Sequence, residues 1–344
     1  MKIKLISFLF TFFALLSISF CCSAATLGGN KLLKWEKGHY REDIRIYTLS
    51  GINYIRGEPE FSFISLSEDI NLYNDKYQES IYLIPSGERK TYKKEQYFLA
   101  GAYRAKLLKL AGISEDDTIF IYDYINNDLK SFPVSWLSTF AVVDIYSHHD
   151  TEPNKTYQLN EYMFGFKLDS NIFDQYASYI VYIGKENPFS QQPLTPLVWH
   201  QIDNKDFPVL EKDDEITSLT FLDNPEELVK GDNYMAQAIN LRFYIQNYES
   251  PSNNEIIIRH LIILDSDSNI LSNVIHGYSE GGVLLPLTSS LDDNEQIFQW
   301  VGKILKNEPP VIFDFSNESF GCGPLFQFIH PLHEFFVPRC DCRH

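Results

Sequence analysis

Positive charge is in short supply in this chain. Its 344 residues carry 29 Lys and Arg against 46 Asp and Glu, a formal net charge of −17. A surface of that sign is repelled by phosphate backbones and anionic headgroups, which disfavours nucleic-acid binding and peripheral membrane attachment. A basic partner stays open. The acidic residues are spread along the chain rather than gathered in a tail, so the charge also serves plain solubility. Cysteine is sparse too, with five in all and two of them at positions 21 and 22. A dense disulfide scaffold is therefore excluded, and the fold has to rest on an apolar core. There is no repeat at a solenoid or propeller period and no low-complexity tract. Beyond the N-terminal segment no run approaches the roughly 20 apolar residues of a membrane span.

That N-terminal segment is the clearest signal present. Lys2 and Lys4 precede the apolar run "ISFLFTFFALLSISF", and "CCSAAT" supplies small residues at an A-x-A-like site. The pattern is that of a secretory signal over residues 1–25, cleaved after Ala24 or Ala25. A lipoprotein would begin at Cys21 or Cys22, but Phe20 or Cys21 stands where such signals want a small residue, so simple export is preferred. Cleavage leaves a periplasmic or secreted chain of about 319 residues with no integral membrane segment, enough for two ordinary domains or one large one.

The full sequence is 44% hydrophobic and 15% aromatic, which suffices for a core and excludes general disorder. Runs such as "FSFISL", "TIFIYDY", "FAVVDIY", "YMFGFKL", "SYIVYIG", "NLRFYIQNY", "EIIIRHLIIL" and "PVIFDF" read as strands. Hairpins are expected at Asn126–Asp128 and at Ser266–Asn269. Helices are fewer. "EQYFLAGAYRAKLLKLAG" places Phe98, Ala102, Ala105 and Leu108 on one stripe and ends at Gly112. "DDNEQIFQWVGKILKN" gathers Ile297, Val301, Ile304 and Leu305, with acids first and lysines last, as a helix dipole prefers. The expected fold is α+β: strand-rich, mainly antiparallel, with a few short amphipathic helices. The polar stretch 147–156 suggests an N-terminal α+β domain over 26–155 and a β-rich C-terminal domain over 156–344.

One motif carries possible chemistry. Gly277-Tyr278-Ser279-Glu280-Gly281 spells Gly-x-Ser-x-Gly, the turn on which α/β-hydrolases mount a nucleophilic serine, and these residues resemble such an elbow. The resemblance implies Ser279 as nucleophile, with Asp314 and either His330 or His333 completing a Ser, Asp, His order. The surroundings argue otherwise: the incoming strand reads as one arm of a hairpin, and Pro286 interrupts any outgoing helix. A glycine-rich turn between strands explains the same letters, and it is preferred.

The C-terminus gathers Cys322, His330, His333, Cys340, Cys342 and His344. Their spacing fits no common zinc pattern, and export favours a disulfide from Cys322 to Cys340 or Cys342, leaving one thiol over. Asp265–Asn269 imitates an EF-hand start but lacks its glycine, His148-His149-Asp150 sits in a polar connector, and Trp199-His200 could line a pocket or simply pack. No metal or cofactor is expected. The preferred function is binding, such as an inhibitor or immunity-type protein facing a basic protein partner; the alternative is an esterase-like serine hydrolase.

Overall fold

The computed structural model describes residues 38–70, 83–85, 92–148, 155–169, 173, 178–208, 228–277, 283–291, 298–317 and 324–341. The chain begins with β1 (His39–Tyr40), β2 (Ile46–Thr48), β3 (Ser50–Ile52), β4 (Phe61–Ser65) and β5 (Gln96–Leu99). After helix α1 (Ala102–Leu110) come β6 (Thr118–Asp123), β7 (Asp128–Pro133), β8 (Ser138–Val143), β9 (Tyr162–Asp169) and β10 (Tyr179–Gly184). Next are β11 (Thr195–Pro196), β12 (His200–Ile202), β13 (Val229–Ala238), β14 (Leu241–Glu249), β15 (Ile256–Leu264) and β16 (Ile270–Gly277). The last are β17 (Val283–Leu284), β18 (Trp300–Gly302), β19 (Val311–Phe313), β20 (Ser316–Asn317), β21 (Phe326–Phe328) and β22 (Glu334–Phe336).

Among the described residues are five sheets, of which four stack face to face and the fifth is the two-stranded pair β17–β20. The first has strand order β3-β4-β9-β8-β5, the second β2-β10-β6-β7, the third β1-β22-β21-β19-β18-β11 and the fourth β12-β13-β14-β15-β16. Their pairings are antiparallel, except that β1 joins β22 in parallel. The stacking follows from side-chain alternation in the two inner sheets. In β6, Ile119 and Ile121 enter the core shared with the first sheet, while Tyr122 and the following Tyr124 enter the core shared with the third. In β19, Val311 and Phe313 face the second sheet, and Ile312 faces the fourth. Strands covered on both faces read as nearly continuous apolar runs, as "TIFIYDY", "SYIVYIG" and "PVIFDF" do, with Asp123 and Asp314 as exceptions.

The architecture is β-rich, with α1 the one α-helix among the described residues. Its end is the expected one. Gly112 has φ 66°, its N–H bonds to Lys109 O, and that of Ile113 bonds to Leu108 O, the paired closure of a Schellman motif. Its start is not as expected, because Phe98 lies in β5 and is exposed; Leu107 and Leu108 are the buried residues. The second predicted helix is overturned where the structure describes it. Trp300–Gly302 is β18, paired with β11 and β19, and Trp300 and Val301 enter opposite cores. Sheet pairing on both edges outweighs a helical spacing that a doubly buried strand can imitate.

Both predicted hairpins are present. At β6–β7 the Asp123 carboxylate accepts the N–H groups of Ile125 and Asn126, and Asn127 takes φ 55°. At β15–β16 the Asp265 carboxylate accepts from Asp267 and Asn269. The EF-hand-like acid is therefore spent on its own turn. The polar connector near residue 155 links strands of shared sheets: β9, beyond it, pairs with β4 and β8, and β10 pairs with β2 and β6. Strand β1 in turn belongs to the sheet of the C-terminal strands.

Candidate functional site

The Gly-x-Ser-x-Gly stretch leaves the fourth sheet at its edge. β16 is antiparallel to β15 with Gly277 opposite Ile258, and the chain resumes at β17, whose Val283 pairs with Asn317 of β20. Tyr278, Ser279, Glu280, Gly281 and Gly282 lie outside the described residues.

Three residues proposed as its partners are described: Asp314 follows β19, and His330 and His333 lie between β21 and β22. In the β19–β21 ladder Val311 faces Phe328, so Asp314 falls opposite position 325. His330 lies past the end of β21, in the bend that leads to β22. Asp314 (φ 66°) has its carboxyl pushed up to about 7 by burial. His330 is engaged at both ring nitrogens: Nδ1 accepts the Leu332 N–H at 3.1 Å, and Nε2 lies 3.1 Å from Glu334. The first contact puts the ring proton on Nε2, so this imidazole has no lone pair directed at a substrate. His333, buried and at φ 52°, shapes the turn into β22 and gives its carbonyl to the His39 N–H.

Another imidazole packs against Phe315, the residue that follows Asp314. His276 of β16 stacks on Phe315 with ring centroids 4.6 Å apart, and its Nε2 is out of solvent although the residue keeps some surface. Beside it Arg259, 3% exposed, donates to Asn247 and to the carbonyl of Leu285. Burial, helped by Arg259, holds His276 down at about 4, and burial lowers Arg259 to about 10. Gln299, fully buried, joins this region to Trp199: it accepts the indole N–H at 2.8 Å and donates to the carbonyls of Pro286 and Asp314. Trp199 is thus a core residue, and His200 is exposed on β12.

A second buried charge centre fixes the C-terminus. The Asp69 side chain, 5% exposed, takes Arg45 at 3.1 Å, the Tyr47 hydroxyl at 2.6 Å, and Arg339. Arg339 also bridges β2, donating its N–H to Ile46 O and accepting from Thr48. Cys340 follows and is a disulfide cysteine; Cys322 and Cys342 lie outside the described residues. His148 stands 3.5 Å from Glu95, and no metal-holding group of His, Cys, Asp and Glu occurs among the described residues.

A cleft lies elsewhere, at the seam of the second and third sheets. It is a cleft of about 440 Å³ bounded by residues 43–46, Tyr182, 186–188 and 305–308. Ile44, Ile46 and Leu305 are buried beneath it, and Tyr182 forms a wall beside β2. Asp43, Glu186 and Glu308 stand at its rim. Arg41 bridges two of these acids, forking onto Asp43 at 2.7 and 2.8 Å and reaching Glu308 at 3.2 Å; it also meets Glu334 at 3.2 Å. Lys306 donates to the carbonyl of Asn187. Arg45, also part of the lining, pairs with Asp69. Glu186 is exposed and forms no ion pair among the described residues. Nothing in the sequence marked this cleft, because its members come from three separated stretches and none forms a motif.

No protein-family model, curated protein or solved structure matches the chain.

Proposed function

We propose that the protein is exported, loses residues 1–25, and works by binding a basic protein partner. The observation that carries this reading is the fate of its cations. Ten described Lys and Arg residues (41, 45, 56, 104, 130, 155, 167, 185, 205 and 339) are already held in ion pairs with the chain's own carboxylates. With a net charge of −17, the surplus carboxylates set a negative field that speeds encounter with a positive surface. A disulfide from Cys322 to Cys340 or Cys342 would secure the C-terminal strand in an oxidising compartment.

The test is capture on the immobilised mature chain at low and at moderate salt. A retained basic protein whose binding weakens as salt rises supports the proposal, and salt-independent retention or no retention rejects it. Export is checked separately, by sequencing the mature N-terminus, which is expected at Ala25 or Thr26.

A further inference from the structure

The hairpin between β13 and β14 fixes which way the backbone groups of the fourth sheet point. Ile239 and Asn240 form its two-residue turn with φ 45° and 64°, so Ala238 and Leu241 exchange both hydrogen bonds across it. From that pair the alternation of an antiparallel ladder runs across the sheet. Even-numbered residues of β14 bond to β15, so Arg259, Leu261 and Ile263 bond to His276, Val274 and Ser272 of β16. The N–H and C=O groups of Asn273, Ile275 and Gly277 therefore point away from β15, and no described residue pairs with them.

The other sheet edges are blunted. β1, β2, β3, β11, β12, β17 and β20 are two or three residues long. β7 carries Asp128, Lys130 and Pro133, and β5 runs for four residues before the turn into α1. β16 has eight residues, with no Lys, Arg, Asp, Glu or Pro among them. Its register shift lies at the Leu264 end, which leaves Ser272–Gly277 regular. At the far end a side chain added to Gly277 would meet no described atom within 4 Å. Short strands, charges, proline and bulges keep a sheet edge from pairing with another chain, and the regular part of β16 has none of them.

We propose that this edge pairs with β16 of a second copy, antiparallel about a two-fold axis at Val274. An extended strand is what answers a row of outward N–H and C=O groups, and antiparallel self-pairing closes as a symmetric dimer. The strand's own residues favour a second copy. The axis at Val274 sets Asn273 opposite Ile275 of the copy, and the two such pairs exchange about four backbone hydrogen bonds within regular strand. Val274 stands opposite its equivalent, and Ser272 stands opposite His276 of the copy. Two chains of net charge −17 thus approach along an edge with no formally charged side chain of its own.

The test is sedimentation velocity of the mature chain from about 5 to about 500 μM, with hydrogen exchange resolved to single amides at both ends of that range. A monomer at the low end and a dimer at the high end are expected, as a small interface gives. The Asn273 and Ile275 amides, open in the monomer, should slow at least about fivefold in the dimer, while those of Val274 and His276 are protected in both. Added salt should tighten the dimer by screening like-charged copies, opposite in sign to capture of a basic partner. Ile275→Lys puts a cation on each edge and should weaken association at least about tenfold. Phe98→Lys, the same change at an exposed position of β5, should leave it within about twofold. A chain that stays monomeric throughout overturns the proposal. So does a dimer whose Asn273 and Ile275 amides exchange as in the monomer, or one that Phe98→Lys weakens equally. The exchange rates of the wild-type chain decide the matter if Ile275→Lys fails to fold.

Discussion

The imidazole of His276 lies flat on the ring of Phe315, 20° from parallel, in contact range of the buried Arg259. Protonating it would place a second cation beside Arg259 in a region out of water. Burial and that neighbour lower its pKa from 6.5 to about 4, so the unfolded chain takes up the proton first. The contribution of this site to stability is complete above about pH 6.5 and is lost as pH falls toward 4. Replacing His276 with Phe should flatten that acid limb, worth about 2 kcal/mol at pH 4 once partial exposure is allowed for, in urea midpoints measured from pH 4 to 7.

Asp314 has the opposite sign. Burial raises its carboxyl from 3.8 to about 7, so ionisation in the folded state costs stability progressively as pH rises through that interval. Asp314→Asn removes the charge and keeps a residue that tolerates the φ of 66°. The variant should gain about 2 kcal/mol at pH 8 and nothing at pH 3.5, read from denaturant midpoints at the two pH values. An equal gain at both would show that the charge is not the cause.

Asp69 holds two guanidiniums and a tyrosine hydroxyl while itself nearly buried. Asp69→Ala leaves Arg45 and Arg339 facing each other without a counter-ion and should cost about 3 kcal/mol. Tyr47→Phe removes the two hydrogen bonds of the hydroxyl, to Asp69 and from Arg45, and should cost about 1.5 kcal/mol. A thermal-shift series of these two and Arg339→Met checks the ranking, and near-equal losses would contradict it.

Gly165 in β9 packs so closely on β4 that an added Cβ would meet the carbonyl oxygen of Ile64. Gly165→Ala forces two paired backbones apart and should cost at least about 2 kcal/mol. Gly112→Ala, which only strains a helix-ending φ of 66°, should cost about 1 kcal/mol by the same measurement.

The ring nitrogens of His330 are already engaged by the Leu332 N–H and by Glu334. A fluorophosphonate probe is therefore expected to leave the mature chain unlabelled, with Ser279→Ala indistinguishable from wild type in gel fluorescence. Labelling of wild type that disappears in Ser279→Ala would establish the serine as a nucleophile.

What the sequence alone determined is local: alternation marked most strands, Asp and Asn placed both hairpin turns, and Gly112 ended the helix, because these depend on neighbours within a few positions. The charge of −17 was equally open to reading. Only the tertiary structure decided that residues 300–302 are a strand, since a doubly covered strand and a buried helix show the same apolar letters. It likewise decided that β9 and β10 return to the sheets of the N-terminal strands across the polar connector. The cleft was beyond sequence altogether: Ile44, Tyr182, Glu186 and Leu305 meet only because two sheets stack, and contacts between distant stretches leave no spacing to detect.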